Sequence, residues 1–283
     1  MKVLFLYSDA TGKGVFLKRI EYISSYLKET FDVVDVVKTK SKEHLHEVAR
    51  ASCGIYDSLI FTGGDGTFND VINAISNETN RPVLGYIPGG TINDIAKNFG
   101  IRKSLRKSLE IIRQGHISRF DICRINSQYF AYVAAIGSFA DIAYSTKRQR
   151  KKKLGKIAYY FKAIGEAMAP KTVRAVITID GVTKQISTPF ILVLNGKNVG
   201  GFLVNQTSDN SDGLFDLFLT KPGWFNGLIH YLFFKMKTTH YKCSSISIHT
   251  DQKMAWCIDG EMGPIGDVTI TNLHLHLAIY SKK

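Results

Sequence analysis

The sequence predicts two domains, an α/β domain over residues 1–120 and an antiparallel β-sandwich over residues 121–283. Short apolar runs alternate with segments of helical period through the first third of the chain, which is typical of a parallel sheet wrapped by helices. From residue 120 onward, closely spaced β-rich runs replace that alternation. No internal repeat or low-complexity linker marks the change, so the predicted boundary depends on pattern alone.

The first domain is predicted to contain four strands and four helices. The predicted strands are residues 3–7, 33–37, 58–62 and 83–87. The predicted helices are a segment with apolar residues on one face between 16 and 27, and residues 67–76, 91–98 and 104–114. Functional loops are expected at the carboxyl ends of the strands, as in other open parallel sheets.

The second domain is predicted to be mostly strands, with two helical insertions. The β-rich runs are residues 120–125, 129–136, 173–179, 189–195, 214–219, 245–250, 254–258 and 273–280. The helical insertions are residues 156–168 and 224–236. Closely spaced runs of this kind favour an antiparallel sandwich or barrel.

Composition and charge restrict the classes of protein. The apolar share of 45% and the charged share of 22% are those of a globular protein, which argues against disorder or a fibrous fold. The net charge of +13 favours polyanionic partners: nucleotides, nucleic acid or an acidic membrane surface. Four cysteines without CxxC spacing argue against a zinc site, and we expect reduced thiols in a cytoplasmic protein. No run approaches the roughly 18 apolar residues of a membrane span, so any membrane contact should be peripheral.

The clearest functional signal is the turn Gly63-Gly64-Asp65-Gly66-Thr67, between a predicted strand and a predicted helix. Glycines let backbone amides approach an anion, and a helix start adds unpaired N–H groups and a positive dipole end. A phosphate fits such a turn. The carboxylate of Asp65 would repel it unless a cation intervenes, and Mg²⁺ is the natural mediator.

A second turn of the same kind, Pro88-Gly89-Gly90-Thr91-Ile92-Asn93-Asp94, follows the next strand. Two such turns one βα unit apart should face the same crevice. A third candidate follows the first strand, at residues 9–14. Each turn alone could be an ordinary capped loop. None matches the Walker loop or the dinucleotide GxGxxG spacing, so phosphate binding should use a different arrangement.

Four ordered motifs make the chain resemble the catalytic domain of diacylglycerol kinases, shared with sphingosine and ceramide kinases. They are GGDGT with Asn69, PGGT with Asn93-Asp94, the segment from Ser211 to Asp216, and Asp259-Gly260-Glu261. The resemblance implies a three-layer α/β nucleotide-binding domain, related to NAD kinases and phosphofructokinases, followed by a β-sandwich that binds lipid. It implies an active site in the cleft between them, with ATP and Mg²⁺ as cofactors.

The resemblance also implies which residues contact ATP. They are Ser8, Asp9, Ala10, Thr11, Gly12, Thr39, Gly63, Gly64, Asp65, Gly66, Thr67, Phe68, Asn69, Asp70, Gly90, Thr91, Asn93 and Asp94. The first loop departs from the family, which usually has Asn-Pro before its Ser-Gly turn. After GDGT the usual Asn-Glu is Asn69-Asp70 here, with a shorter acid.

Two carboxylates near the end of the chain, Asp259 and Glu261, are candidate catalytic groups together with Asp65. In an extended segment, residues at this spacing project to the same side. One could accept the proton of the attacking hydroxyl while the other orients it or holds metal. The resemblance places the general base at this motif, and we favour Glu261 for its reach. A plain hairpin turn is the alternative interpretation.

A second acidic segment contains Asp209 and Asp212, a spacing at which oxygens can converge on a hard cation. On spacing alone, a solvated turn is the simpler interpretation. The resemblance implies a structural magnesium ion held by Asp209, Asp212 and the backbone carbonyl of Leu214.

Two segments could contact a membrane. The basic run at residues 147–153 could bind anionic lipid, and the apolar helix at 224–236 could enter the interface. A solvated loop and a buried core helix are the respective alternatives. No nucleic-acid-binding motif accompanies the basic run, so we expect no nucleic-acid partner.

The predicted activity is therefore transfer of phosphate from ATP to a lipid hydroxyl, with diacylglycerol as the default acceptor. The alternatives are an NAD kinase, or a catalytically silent nucleotide- or membrane-binding module. No pattern determines the acceptor lipid or the oligomeric state, so a homodimer is left open.

Overall fold

The protein is described by a computed structural model that covers residues 1–8, 15–137, 172–220, 238–250 and 252–282. The predicted helical insertions at 156–168 and 224–236, the basic run at 147–153 and Asp9, Ala10, Thr11 and Gly12 lie outside the described residues. Within the described ranges, no helix combines the length and the apolar character that a membrane span requires.

The first part of the chain alternates strands and helices. Its elements are β1 (Lys2–Ser8), α1 (Val15–Lys28), β2 (Val33–Thr39), α2 (Lys42–Ala51), β3 (Ser58–Gly63), α3 (Asp65–Ile75), β4 (Val83–Pro88), α4 (Asp94–Asn98) and α5 (Leu105–Gln114).

The remaining described elements are all strands. They are β5 (Ile117–Ile125), β6 (Gln128–Phe130), β7 (Val133–Gly137), β8 (Val173–Ile179), β9 (Val182–Thr188), β10 (Phe190–Leu194), β11 (Asn198–Val199), β12 (Phe202–Leu203), β13 (Phe215–Thr220), β14 (Thr238–Cys243), β15 (Ser245–His249), β16 (Ala255–Ile258), β17 (Glu261–Ile265) and β18 (Val268–Tyr280).

The chain forms two compact units, and each is assembled from separate segments. Unit 1 comprises Met1–Ile122, Asn198–Leu203 and His274–Lys283, and unit 2 comprises Cys123–Lys197 and Val204–Leu273. The predicted division into 1–120 and 121–283 is continuous in sequence, whereas unit 1 also includes two later segments.

Unit 1 is built on a parallel sheet in the order β2, β1, β3, β4 and the end of β18. Strands β1, β3 and β4 are almost wholly buried, as their continuous apolar runs require in a parallel sheet covered by helices. Helix α1 packs with α5, and α2 packs with α3. The predicted α/β class is confirmed.

Unit 2 contains antiparallel sheets that enclose one apolar core. One sheet has the order β14, β13, β10, β7, β16, β17, and the other part pairs β9 with β8, β8 with β15, and β15 with the start of β18. Both contribute buried apolar side chains to the core, with Trp256 and Phe215 among the largest. The predicted sandwich is confirmed.

Several element boundaries differ from the prediction. Helix α3 begins at Asp65 rather than at residue 67, and α4 begins at Asp94 rather than at residue 91. Helix α2 was not predicted, although Ser41 caps its amino terminus by accepting a hydrogen bond from the His44 N–H. The four cysteines are free thiols, as predicted.

Candidate active site

The two glycine turns lie side by side in unit 1. Strands β3 and β4 are parallel neighbours in a register that pairs Gly63 with Pro88, so both turns leave the same edge of the sheet. The Gly89 N–H donates a 2.7 Å hydrogen bond to the Gly63 carbonyl. The prediction that the turns meet is confirmed, and phosphate binding by them stays a prediction.

Three glycines in these turns, Gly63, Gly64 and Gly90, are required by space and not by backbone angle. A Cβ atom on Gly90 would lie 2.6 Å from the Gly64 Cα, and one on Gly64 would lie 3.2 Å from the Gly90 Cα. A Cβ on Gly63 would lie 2.4 Å from the Thr67 side chain. Since Gly64 has a φ of −97°, most residues could adopt its backbone conformation. The turns therefore touch backbone to backbone, which only glycine allows.

Asn93 fixes the shape of the second turn. Its side chain accepts a 2.9 Å hydrogen bond from the Gly90 N–H and donates one of 2.9 Å to the Gly90 carbonyl. Its own φ of 54° is left-handed, a conformation that asparagine adopts more readily than most residues. Behind it, the buried Tyr86 hydroxyl donates to the Gly63 carbonyl at 3.2 Å, and burial raises the Tyr86 pKa well above its usual value. Asn93 was predicted to contact ATP, but its polar atoms form the turn itself.

Asp65 links the two turns through helix α4. Its carboxylate accepts a 3.0 Å hydrogen bond from the Ile95 N–H and also interacts with the backbone N–H groups of Asn93 and Asp94. Burial raises the Asp65 pKa, the hydrogen bond from Ile95 opposes that shift, and the charge of Asp94 adds to it. The carboxylate thus occupies the amino terminus of α4, where negative charge is favourable.

Helix α3 directs its amino terminus to the same edge of the sheet. The Phe68 N–H donates the first intrahelical hydrogen bond, to the Gly64 carbonyl. The N–H groups of residues 65–67 therefore stand at the positive end of the helix dipole. Thr91, in the facing turn, is exposed. Backbone donors and a hydroxyl at one sheet edge are suited to binding phosphate.

Asp94, another predicted ATP contact, anchors a segment from much later in the chain. Its buried carboxylate accepts hydrogen bonds of 3.0 and 3.1 Å from the Gly201 N–H and pairs with Lys97 at 3.0 Å. One turn further along α4, the Asn98 side chain accepts two 2.9 Å bonds from Asn198. The β11–β12 hairpin is thereby fixed to α4. Sequence reasoning missed this hairpin because two-residue strands give no periodic signal.

Three other predicted ATP contacts are engaged elsewhere in unit 1. Thr39 lies in register with Ser8 at the end of β1, but its hydroxyl donates to the Tyr7 carbonyl at 3.1 Å. Asp70 pairs with Lys42 of α2 at 2.6 Å. Asn69 is buried and accepts from the Asn73 side chain at 3.1 Å. The structure shows these polar groups in local hydrogen bonds and ion pairs, and their contact with ATP stays a prediction.

The Asp259–Glu261 segment in unit 2 is a hairpin turn, which is the alternative interpretation of this motif and not the extended one. Ile258 pairs with Glu261 across β16 and β17, and the two residues between them have φ values of 48° and 85°. Such a turn is favoured by Asp-Gly because both positions need positive φ. The two carboxylates therefore do not project together from one strand.

The environments of Asp259 and Glu261 are opposite. Asp259 is 4% exposed, and its carboxylate accepts hydrogen bonds from the N–H groups of Ala131, Tyr132 and Val133 at 2.6, 3.1 and 3.1 Å. Glu261 is exposed. Of the two, Glu261 is therefore the residue that is open to solvent.

The predicted magnesium ligands in unit 2 are also engaged. Asp209 accepts from the Ser211 N–H and hydroxyl, while Asp212 accepts from the Leu214 N–H and pairs with Lys242 at 2.5 Å. Among the residues that the structure describes, no group of three or more acidic, histidine or cysteine side chains lies together where it could hold a metal ion. While the Lys242 ammonium occupies Asp212, the loop does not fit a bound Mg²⁺, because the two cations would repel each other.

Comparison with known proteins identifies relatives over nearly the full length. A sequence model for the diacylglycerol kinase catalytic domain matches residues 2–125. A Staphylococcus saprophyticus protein named diacylglycerol kinase is 31% identical, over 98% of this chain and 94% of its own. One of the same name from Bacillus subtilis is 28% identical, over 98% and 95%.

Solved structures give the same result for the fold. A crystal structure described as a diacylglycerol kinase from Bacillus anthracis strain Sterne superposes with a TM-score of 0.83 at 26% identity. The match covers 99% of this chain and 97% of the other. Both compact units therefore have counterparts in a single solved protein.

Proposed function

The chain belongs to the diacylglycerol kinase family, and from that premise we propose that it transfers the γ-phosphate of ATP to a hydroxyl group of a lipid. The default acceptor is diacylglycerol, which would give phosphatidic acid. The relatives' names support the kinase class, and the acceptor is a narrower proposal.

One observation carries the nucleotide part of the proposal. The turns at residues 63–67 and 88–94 touch backbone to backbone at one sheet edge, beside the amino terminus of α3. Backbone N–H groups in glycine-rich turns, together with the dipole of a helix, can bind a triphosphate without charged side chains. In this proposal Ser8, Thr67 and Thr91 supply hydroxyls around the phosphates.

We propose that Mg²⁺ binds together with ATP. When bound, Mg²⁺ neutralises charge on the phosphate oxygens. Asp65 fits as its neighbour, because a carboxylate has about four acceptor positions and can take the Ile95 N–H while facing a hydrated ion. The exposed Thr91 hydroxyl stands in the facing turn.

Glu261 is proposed as the general base and Asp259 as a positioning residue. The lipid hydroxyl oxygen forms a bond to the γ-phosphorus, the bond from that phosphorus to the bridging oxygen breaks, and ADP leaves. The hydroxyl proton passes to the Glu261 carboxylate. Asp259 holds the turn that carries Glu261 by accepting three backbone N–H groups.

The proposed location is the cytoplasm, with peripheral attachment to an anionic membrane. The net charge of +13 supports attraction to acidic lipid, at roughly 1 kcal/mol for each basic residue close to the surface. A lipid acceptor also requires the enzyme to work at a membrane surface.

The proposal is tested by giving the purified protein γ-labelled ATP, Mg²⁺ and a panel of acceptors. The panel contains diacylglycerol, a sphingoid base, a polyprenol, phosphatidylglycerol and NAD, with products identified by mass spectrometry. We expect a labelled phospholipid from diacylglycerol. Labelled NADP alone would support the NAD kinase alternative, and nucleotide binding without any product would support the silent module.

A further inference from the structure

The acidic loop at residues 209–214 of unit 2 is organised by its own hydrogen bonds. The Asp209 carboxylate accepts from the Ser211 N–H at 3.0 Å and from the Ser211 hydroxyl at 2.7 Å. The Asp212 carboxylate accepts from the Leu214 N–H at 3.0 Å. One oxygen of each carboxylate is thus committed to the backbone of the loop, which closes it into two successive turns.

A lysine from the neighbouring strand supplies the positive charge. Lys242 on β14 is in register with Asp216 on β13, and its ammonium lies 2.5 Å from the second oxygen of Asp212. The hydrogen bond with Asp212 raises the Lys242 pKa, and the charges of Asp212, Asp216 and Asp209 add to that shift. The ammonium therefore pairs directly with Asp212, in the favourable field of the two neighbouring carboxylates.

The remaining carboxylate has a partner of its own. Asp216 is buried, and one of its oxygens lies 2.7 Å from Nε2 of His240, which stacks on Phe218. The basic side chains of His240 and Lys242 alternate with Tyr241 along β14 and so project to the same face of the sheet.

Magnesium does not suit this arrangement. It requires near-octahedral oxygen ligands at about 2.0–2.1 Å and would have to share Asp212 with an ammonium group, which it would repel. A lysine supplies one charge and three donors, and it is attached to the chain. Its contribution does not depend on the concentration of free divalent ions.

We propose that the ammonium group of Lys242 takes the place of a divalent cation at the Asp209–Asp212 loop, so that the loop is ordered without bound metal. This differs from the structural magnesium that the resemblance implied for Asp209, Asp212 and Leu214. Resting on the proposed function, it also means that the only Mg²⁺ the reaction needs is the one that accompanies ATP.

The first test uses the unmodified protein without nucleotide or lipid, so its outcome is independent of the proposed activity. Mg²⁺ is titrated calorimetrically into protein freed of metal by EDTA, and the melting temperature is measured with EDTA and with millimolar MgCl₂. We expect no saturable binding and the same melting temperature in both. A single saturable Mg²⁺ site that disappears in Asp212→Asn would overturn the proposal.

The second test compares Lys242→Met with Lys253→Met, a matched change at an exposed lysine of the same unit. In EDTA, we expect Lys242→Met to melt roughly 2–4 °C below the control, because the Asp212 carboxylate loses its cation while the negative charges of Asp209 and Asp216 remain nearby. Millimolar Mg²⁺ should recover part of that shift in Lys242→Met only. Equal melting of the two variants under both conditions would contradict the proposal. If Lys242→Met does not fold, the calorimetric Mg²⁺ titration of the unmodified protein tests the proposal by itself.

Discussion

Two residues apart, Asp259 and Glu261 show that one motif can hold two carboxylates in opposite environments. The buried carboxylate of Asp259 satisfies three backbone N–H groups, while Glu261 is exposed beyond the turn. The sequence identified both residues but could not separate them, because the separation comes from the hairpin angles and from contacts to residues 131–133. These contacts join parts of the chain more than 120 positions apart.

Replacement of the two carboxylates should therefore have different effects. Glu261→Gln should lower kcat about 10²- to 10⁴-fold with an unchanged melting temperature, as expected when a general base is lost. Glu21→Gln, at an exposed position of α1, is the control.

Asp259→Ala should instead lower the free energy of unfolding by roughly 3 kcal/mol or more, because each buried N–H group that loses its hydrogen-bond acceptor costs about 1–3 kcal/mol. Kinetics and denaturant unfolding measure both, and a fully active Glu261→Gln would remove Glu261 from the mechanism.

We expect the Asp65 carboxylate to reduce the free energy of unfolding at pH 7, although the proposed function needs it. Burial raises its pKa, so the folded state binds the proton more tightly than the unfolded state. The stability that this linkage contributes is present below the unfolded pKa of about 3.9 and is lost as pH rises through the raised folded value. An asparagine side chain at position 65 can still accept the hydrogen bond from the Ile95 N–H, but it does not ionise.

We therefore expect Asp65→Asn to unfold at higher denaturant than the unmodified protein at pH 7, with a difference that shrinks toward pH 4. Its kinase activity should fall at least about 10²-fold. Unfolding curves at several pH values, together with the labelled-ATP assay, check both parts. A stability difference that does not vary with pH would contradict the linkage.

The contact between the turns predicts that alanine at Gly90 destabilises the protein more than alanine at Gly89. In Gly90→Ala the new Cβ would lie 2.6 Å from the backbone of Gly64, which cannot move without separating the turns. In Gly89→Ala the nearest atom is the Thr62 hydroxyl oxygen at 3.3 Å, and a side chain can shift. We expect Gly90→Ala to cost about 1–3 kcal/mol and to weaken ATP binding, with a smaller effect for Gly89→Ala. Calorimetric titration with ATP measures this, and equal affinities would refute it.

At the scale of elements, the strands and glycine turns of unit 1 could be predicted, and the helix starts could not. The apolar runs of β1, β3 and β4 are continuous because both faces of a parallel sheet are buried. Helix α4 begins three residues late because Asn93 takes a left-handed conformation and bonds to Gly90. That choice depends on contact with the other turn, which a local pattern does not contain.

The β11–β12 hairpin offers a test of such a long-range contact. Asp94→Ala removes the acceptor of the Gly201 N–H, so amide exchange over residues 198–203 should accelerate, at a cost of about 1–3 kcal/mol. Lys97→Met removes the partly exposed lysine of the Asp94 ion pair but keeps the acceptor, and it should change exchange little. Hydrogen–deuterium exchange measures both variants. If both gave the same exchange, Asp94 would not be the anchor.

At the scale of the whole molecule, the change of pattern near residue 120 predicted both fold classes correctly. It could not predict that residues 198–203 and 274–283 join the first 122 residues in one compact unit. Such assembly is decided by pairing across long separations, as when β18 joins β15 near its start and β4 near its end. Recognition of the four motifs identified the family, whereas the local roles of Asp70, Asp94 and Asp212 required the structure.

In the proposed function, the two glycine turns of unit 1 hold the phosphates of ATP. This binding is tested most directly by hydrogen–deuterium exchange of the unmodified protein with Mg²⁺ and either ATP or adenosine. We expect ATP, but not adenosine, to protect amides in residues 63–68 and 88–94. Protection confined to other segments, with these two turns unchanged at saturating ATP, would contradict the account.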